Sequence, residues 1–266
     1  MNRRPFSLRT LGWILTLAIL CGCSTVQYRG IQGDFERAVR AELEGADLPF
    51  VDWYRSVALE LTPGYIGKLA PQLQPNAWLL RSLAQWRIQD FDAADQSARA
   101  GLDTIAALER RDARWSGSRD KILLTMAPGL VKDAELRSRF LKGGTNDLKQ
   151  HLGDVYQPEL IAALNEFKNA RSLVGEDTPD SVIVYWNFQT WRLLQNWATY
   201  CTRLPMDDQP TALASAAQAI QSNFSDMLGG AKDLRSARDY LKAQLGANHP
   251  YFQLVERAAP NQLLGP

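Results

Sequence analysis

Between Val182 and Leu204 the chain carries Tyr185, Trp186, Phe188, Trp191, Leu193, Leu194, Trp197, Tyr200 and Cys201. At helical period these side chains leave apolar surface around much of the circumference, and a helix of that kind is stable only when other elements enclose it. The rest of the chain must therefore supply helices that each turn one apolar face toward this one. Val182-Ile183-Val184 is β-branched and would suit a strand, but no alternating run stands nearby to pair with it. Thr178-Pro179-Asp180 is expected to start the helix, with Thr178 as cap, and Pro205 to end it.

The required partners can be read along the chain. Phe35, Ala38, Val39 and Leu43 share a face of a first helix opened by Gly33-Asp34. Phe50 to Leu61 follows with Val51, Tyr54, Val57, Ala58 and Leu61 inside, and Thr62-Pro63-Gly64 as its stop. Ala77 to Ile88 and Phe91 to Arg110 are joined by a tight Gln89-Asp90 turn. The second of them bears a narrow stripe of Ala94, Ala98, Leu102, Ile105 and Leu108 that would let two helices approach closely. Gly117, Pro128-Gly129 and Gly143-Gly144 then interrupt the pattern, predicting short helices over Lys121–Met126, Lys132–Leu141 and Asp147–Leu152 and a hinge or sub-boundary near 116–153. Further helices are expected over Glu159–Val174, Thr211–Leu228 and Ala231–Leu245. The fold class is all-α, with helical hairpins packed either as a repeat array or as an irregular bundle over 31–257, and a loose tail over 258–266.

The N-terminus has a different character. Arg3, Arg4 and Arg9 precede an apolar run from Leu11 to Leu20, and Gly22 stands before Cys23. A cationic start, an apolar core too short to span a bilayer and a small residue before a cut form the layout of a secretory signal peptide, over residues 1–22. A plain signal or an uncleaved anchor has the same first two parts. Removing these residues takes three arginines and no acid from the 30 basic and 29 acidic residues of the 266-residue chain. The near-neutral remainder does not suggest a nucleic-acid binder or an electrostatic membrane binder, and neither is expected.

The end of that run, Leu20-Cys21-Gly22-Cys23, resembles the lipobox of bacterial lipoproteins, Leu-x-Gly-Cys. The resemblance implies cleavage before Cys23, with Leu20 and Gly22 as the recognition positions. It also implies diacylglyceryl and acyl chains on Cys23 and a tether over 23–30. Cys21 is the competing lipidation candidate, but bulky Leu20 precedes it where a small residue is expected. Ser24, in place of the Asp that resembles an inner-membrane retention signal in enteric bacteria, implies the outer membrane, facing the periplasm. Cys201 is then the one thiol left in an oxidising compartment, so no intramolecular disulfide is expected and Cys201 reads as core.

The Ala77–Arg110 hairpin resembles a tetratricopeptide repeat. Trp78 stands at its first aromatic position, Phe91 and Ala94 at the aromatic and small positions of its second helix, and Gly101-Leu102 at a small-then-large pair. Arg81, Ser82 and Gln85 depart from it, standing where the pattern has Leu, Gly and Tyr, and no second copy follows at its period.

No phosphate-cradling loop, dinucleotide fingerprint, zinc-binding helix motif, paired C-x-x-C or nucleophile elbow is present, and the two histidines, His151 and His249, are far apart. The carboxylate pairs Asp207-Asp208 and Glu176-Asp177 sit next to helix starts, where capping accounts for them. No enzyme activity, cofactor or metal is expected. Trp186, Trp191 and Trp197 are either core or the wall of a ligand groove. The expected function is a lipid-anchored periplasmic scaffold that binds or helps assemble a partner envelope or secretion complex. The alternatives are a ligand-binding accessory subunit of a solute uptake system and a carboxylate-dependent cell-wall enzyme.

Overall fold

A computed structural model describes residues 25–42, 50–112 and 118–245. All regular structure in them is helical, with no strand. In chain order the helices are α1 (25–42), α2 (Phe50–Glu60), the single turn α3 (Pro63–Ile66), α4 (Gln74–Arg87), α5 (Phe91–Arg111), α6 (Ser118–His151), α7 (Gln157–Ser172), α8 (Asp180–Arg203), α9 (Gln209–Asn223) and α10 (Leu234–Leu245). A π-helical segment, Leu152–Tyr156, joins α6 to α7.

Helix α8 is the enclosed helix that its sequence demands. Fourteen of its residues are buried, and α6, α7, α9 and α10 pack on it. Helices α4 and α5 form the expected hairpin, its three-residue turn held by Gln89 at φ 63°. Gly101 is needed for the next layer: a Cβ there would stand 2.8 Å from both methyls of Leu124 and 3.0 Å from Trp78 Cβ, so α5 reaches α6 only without a side chain.

Four expectations are corrected. The tether is not loose from 25 onward. Residues 25–30 are the first turns of α1, because Tyr28 and Ile31 are 1% and 2% exposed and Tyr28 donates its hydroxyl to Asn76 Oδ1 at 2.7 Å. Asn76 also accepts from Gln32 at 3.0 Å and donates to Asp120 at 3.1 Å, pinning α1 to α4 and α6. Second, Pro128-Gly129 does not break α6. A proline inside a helix costs about 3 kcal/mol, but burial of Ile122, Leu123, Leu124, Met126, Ala127, Leu130 and Val131 offsets it at about 1.5–3 kcal/mol for each large side chain. The break falls at Gly144, whose φ 62° and ψ −155° only glycine adopts readily.

Third, where a sub-boundary is expected near 116–153, the described part of that stretch, from Ile122 to Leu148, contributes to the main core. The apolar interior divides earlier, at α4. Ala77, Leu80 and Ala84 face a small core with Tyr28, Ile31, Tyr54, Val57 and Leu61, while Leu79 and Trp86, on the other side of the same helix, face the large core built by α5 to α10. Fourth, Thr178 does not cap α8. Its hydroxyl accepts from Gly175 N at 3.0 Å and closes the preceding loop, and Pro179 holds the cap position. Several ends also shift: Asp233 and Ser236 cap α10 three residues later than expected, and Val51 and Leu213, expected inside, are 38% and 39% exposed.

The three departures from the repeat pattern have a structural reason. Arg81 donates from Nη1 to the carbonyls of Ala58, in the last turn of α2, and Leu61, just past it, at 2.8 and 2.6 Å, capping that helix end, and from Nε to Ser97 at 3.2 Å. Ser82 donates to Ala94 O at 2.8 Å, and the Gln85 amide, turned with its nitrogen to Ser97 Oγ, lies 2.6 Å from it. These polar side chains tie α4 to α5 and to the end of α2 by hydrogen bonds.

Candidate functional site

On α8, Tyr185, Gln189, Arg192, Asn196 and Tyr200 follow one another at intervals of four, three, four and four residues. That spacing puts them on one face, a polar ladder along the most buried helix of the molecule. Opposite them α6 presents Asp133 and, one turn on, Arg137, and the C-terminal end of α4 brings Trp86 and Arg87.

Asp133 is 2% exposed and accepts from Asn196 Nδ2 at 2.8 Å. Its other oxygen lies 3.4 Å from Arg137 Nε and 3.7 Å from Arg192 Nη2, ion-pair distances without hydrogen-bond geometry. Arg87 pairs with Glu42 of α1. The guanidinium carbons of Arg87 and Arg192 stand 4.9 and 5.4 Å from the Trp86 ring, within cation–π range.

Three guanidinium groups thus share two carboxylates, an excess of one positive charge in a largely dry environment. Burial, with the neighbouring charges of Arg192 and Arg137, brings Arg87 down to about 9. Burial and Arg137 bring Arg192 down to about 10, against the pull of Asp133. Burial and the Asp133 charge raise the Tyr200 hydroxyl well above its ordinary value. Arg87 and Arg192 both stay protonated at neutral pH.

The hydrogen bonding is incomplete. Six buried side-chain nitrogen or oxygen atoms among the described residues lack a hydrogen-bond partner, and five lie in this seam: Arg137 Nε, Gln189 Oε1, Arg192 Nε and Nη2, and Tyr200 Oη. Such a concentration calls for an explanation, since a buried polar group left unpaired costs about 1–3 kcal/mol. The seam also reaches water. The side chains of Arg87, Arg137 and Arg192 keep 23%, 14% and 12% exposure.

A second polar node lies beyond Tyr200, whose ring meets that of Tyr156 at 5.3 Å. Asp147 accepts two hydrogen bonds from Arg139, at 2.8 and 3.0 Å, and one from the Tyr156 hydroxyl at 2.9 Å. Arg139 and Tyr156 together hold the Asp147 carboxyl down to about 2. Arg139 and Asp147 line an open groove of about 720 Å³ with Lys132, Glu135, Lys142 and Glu159.

The residues singled out from sequence are distributed differently. Leu20, Gly22, Cys23 and His249 lie outside the described residues. Trp186, Trp191 and Trp197 are 1%, 6% and 1% exposed and belong to the main core, so they do not wall a groove open to solvent. Trp186 donates its indole N–H to Phe167 O at 2.8 Å. Cys201 is a fully buried free thiol, its pKa pushed up to about 11 by burial. Glu176 and Asp177 are exposed in a turn, and Asp208 pairs with Lys149 at 2.9 Å. Arg87, Arg137 and Arg192 drew no attention in the sequence, although the polar ladder on α8 was a readable signal.

The architecture is that of an all-α protein with a buried cationic seam between its longest helices. No protein-family model matches the chain, and no curated protein and no solved structure is similar to it. No helix among the described residues is long and apolar enough to cross a membrane, and they contain no cluster of side chains fit to hold a metal ion.

Proposed function

We propose that this is a lipid-anchored, non-enzymatic helical scaffold, held by Cys23 at the periplasmic face of the outer membrane, where it binds or helps assemble a partner envelope or secretion complex. The observation that carries the reading is the shortness of the link between the lipobox and the fold. Thr25 is already helical and Tyr28, five residues after Cys23, is buried and bonded to Asn76. More than one acyl chain gives stable anchoring without a spanning helix, and a linkage this short would keep the body against the bilayer rather than let it roam. Its neutral, charge-mixed helical surface suits docking to a fixed neighbour.

The test is metabolic labelling with palmitate together with crosslinking in cells and mass spectrometry, on the intact chain and on Cys23→Ser. Label and a reproducible partner found only with Cys23 support the reading; an unlabelled protein, or one that never crosslinks reproducibly, sinks it. One observation favours a second reading, the ligand-binding accessory subunit: the five unpartnered polar atoms gathered in the α6/α8 seam.

A further inference from the structure

We propose that the guanidinium seam of Arg87, Arg137 and Arg192 is a binding site for the carboxylate of a small organic acid. The inference rests on the ligand-binding reading and gives that ligand its chemical class; it does not depend on the anchor.

The argument begins with what the seam lacks. A buried ion network is stable when its charges balance and its donors are bonded. Here Asp133 serves both Arg137 and Arg192 with a single oxygen, at 3.4 and 3.7 Å, while its other oxygen is taken by Asn196. Three of the five orphan atoms, Arg137 Nε and Arg192 Nε and Nη2, are guanidinium donors that call for an acceptor, and the Tyr200 hydroxyl can donate to it as well. Charge sets its valence. With Glu42 on Arg87 and Asp133 between the other two, one more negative charge makes the site neutral, whereas a dianion would leave it net negative in a low-dielectric place.

Shape sets its class: a planar carboxylate presents two oxygens to the fork of an arginine. The edge of the seam meets solvent, where the side chains of Arg87, Arg137 and Arg192 keep 23%, 14% and 12% exposure. Trp86, under two of the guanidinium groups, supplies an optical reporter.

The experiment measures the full-length protein in detergent by thermal unfolding and Trp fluorescence against sodium acetate, inorganic phosphate and sodium chloride at equal ionic strength. Acetate is expected to raise Tm saturably, in roughly the millimolar range that so small a ligand allows, while chloride gives no saturable rise. Arg137→Gln and Arg192→Gln are expected to abolish the acetate effect. Glu42→Gln, at the rim where the Glu42 side chain is 27% exposed, frees Arg87 and is expected to tighten acetate by about tenfold. It keeps the proposal testable if the arginine variants do not fold.

Acetate behaving like chloride in the wild type, folded arginine variants that bind acetate normally, or an unchanged affinity in Glu42→Gln would each overturn the proposal. Phosphate binding more tightly than acetate would overturn the carboxylate assignment while leaving a ligand-binding role standing. Silence from both acids would remove both.

Discussion

Asp133 on α6 accepts a 2.8 Å hydrogen bond from Asn196 on α8, across 63 residues of sequence, and the same carboxylate faces Arg137 and Arg192. Its removal would leave two guanidinium groups buried without a counter-charge. Asp133→Ala is expected to lower unfolding free energy by about 3–5 kcal/mol, the usual result of breaking a buried pair from one side. Asn196→Ala should cost about 1–3 kcal/mol. Urea denaturation of the two variants checks the order, and an Asp133→Ala loss smaller than that of Asn196→Ala would contradict it.

The same comparison can be made for α1. Tyr28→Phe removes only the hydroxyl bonded to Asn76 and should cost about 0.5–1.5 kcal/mol. Tyr28→Ala also empties a buried ring site and should cost about 3–5 kcal/mol. Hydrogen exchange is expected to show faster amides over 25–42 in Tyr28→Ala before the rest of the protein responds. Uniform acceleration throughout the chain would show instead that α1 and the main core unfold together.

Two carboxylates give the stability opposite dependences on pH. Asp147, held by Arg139 and Tyr156 at about 2 against an ordinary 3.8, contributes stability that is complete above 3.8 and is lost as pH falls toward 2. Asp120 is raised, first by burial, so its contribution runs the other way and favours the fold as pH drops through its own range. In Arg139→Gln the Asp147 contribution should shrink. The Tm difference from wild type is then expected to be largest near neutral pH and to close toward pH 2. A difference that does not vary with pH would rule out the ion pair as its source.

Glycines in one fold should respond with opposite signs. A Cβ on Gly129 would stand 2.7 Å from Phe167 and 2.8 Å from Ala163 O, so Gly129→Ala should cost about 1–3 kcal/mol despite alanine's better helix propensity. Gly30, helical with nothing within 4 Å, should gain about 0.5–1 kcal/mol as alanine. Denaturant midpoints of the two variants decide; the same sign for both would refute the close α6/α7 contact.

Cys201 offers a test that does not change the chain. Fully buried and with its pKa up at about 11, the thiol should resist alkylation in the native protein and react at once in denaturant, seen by mass spectrometry of its peptide. Rapid native modification would place Cys201 at a surface or in a readily opened region.

Much of the architecture was legible because it follows from local period. The α4/α5 hairpin, the stripe of Ala94, Ala98 and Ile105, and the enclosed character of α8 all derive from residues three or four apart, whose placement a helix settles by itself. The errors share a cause too. Pro128 and Gly129 read as a breaker because their local cost is visible in sequence, while the burial that outweighs it comes from α5 and α7. Residues 25–30 read as a tether because their few apolar side chains matter only against Asn76 and the small core of α2 to α4.

By itself the sequence determined the helical class and the need for one central helix. The tertiary structure decided which charges became buried neighbours. Arg87, Asp133 and Arg192 belong to helices far apart in sequence, and no periodicity within one helix can tell whether a polar face meets water or another helix. A charge acquires its meaning from the dielectric and the partners around it, and packing supplies both.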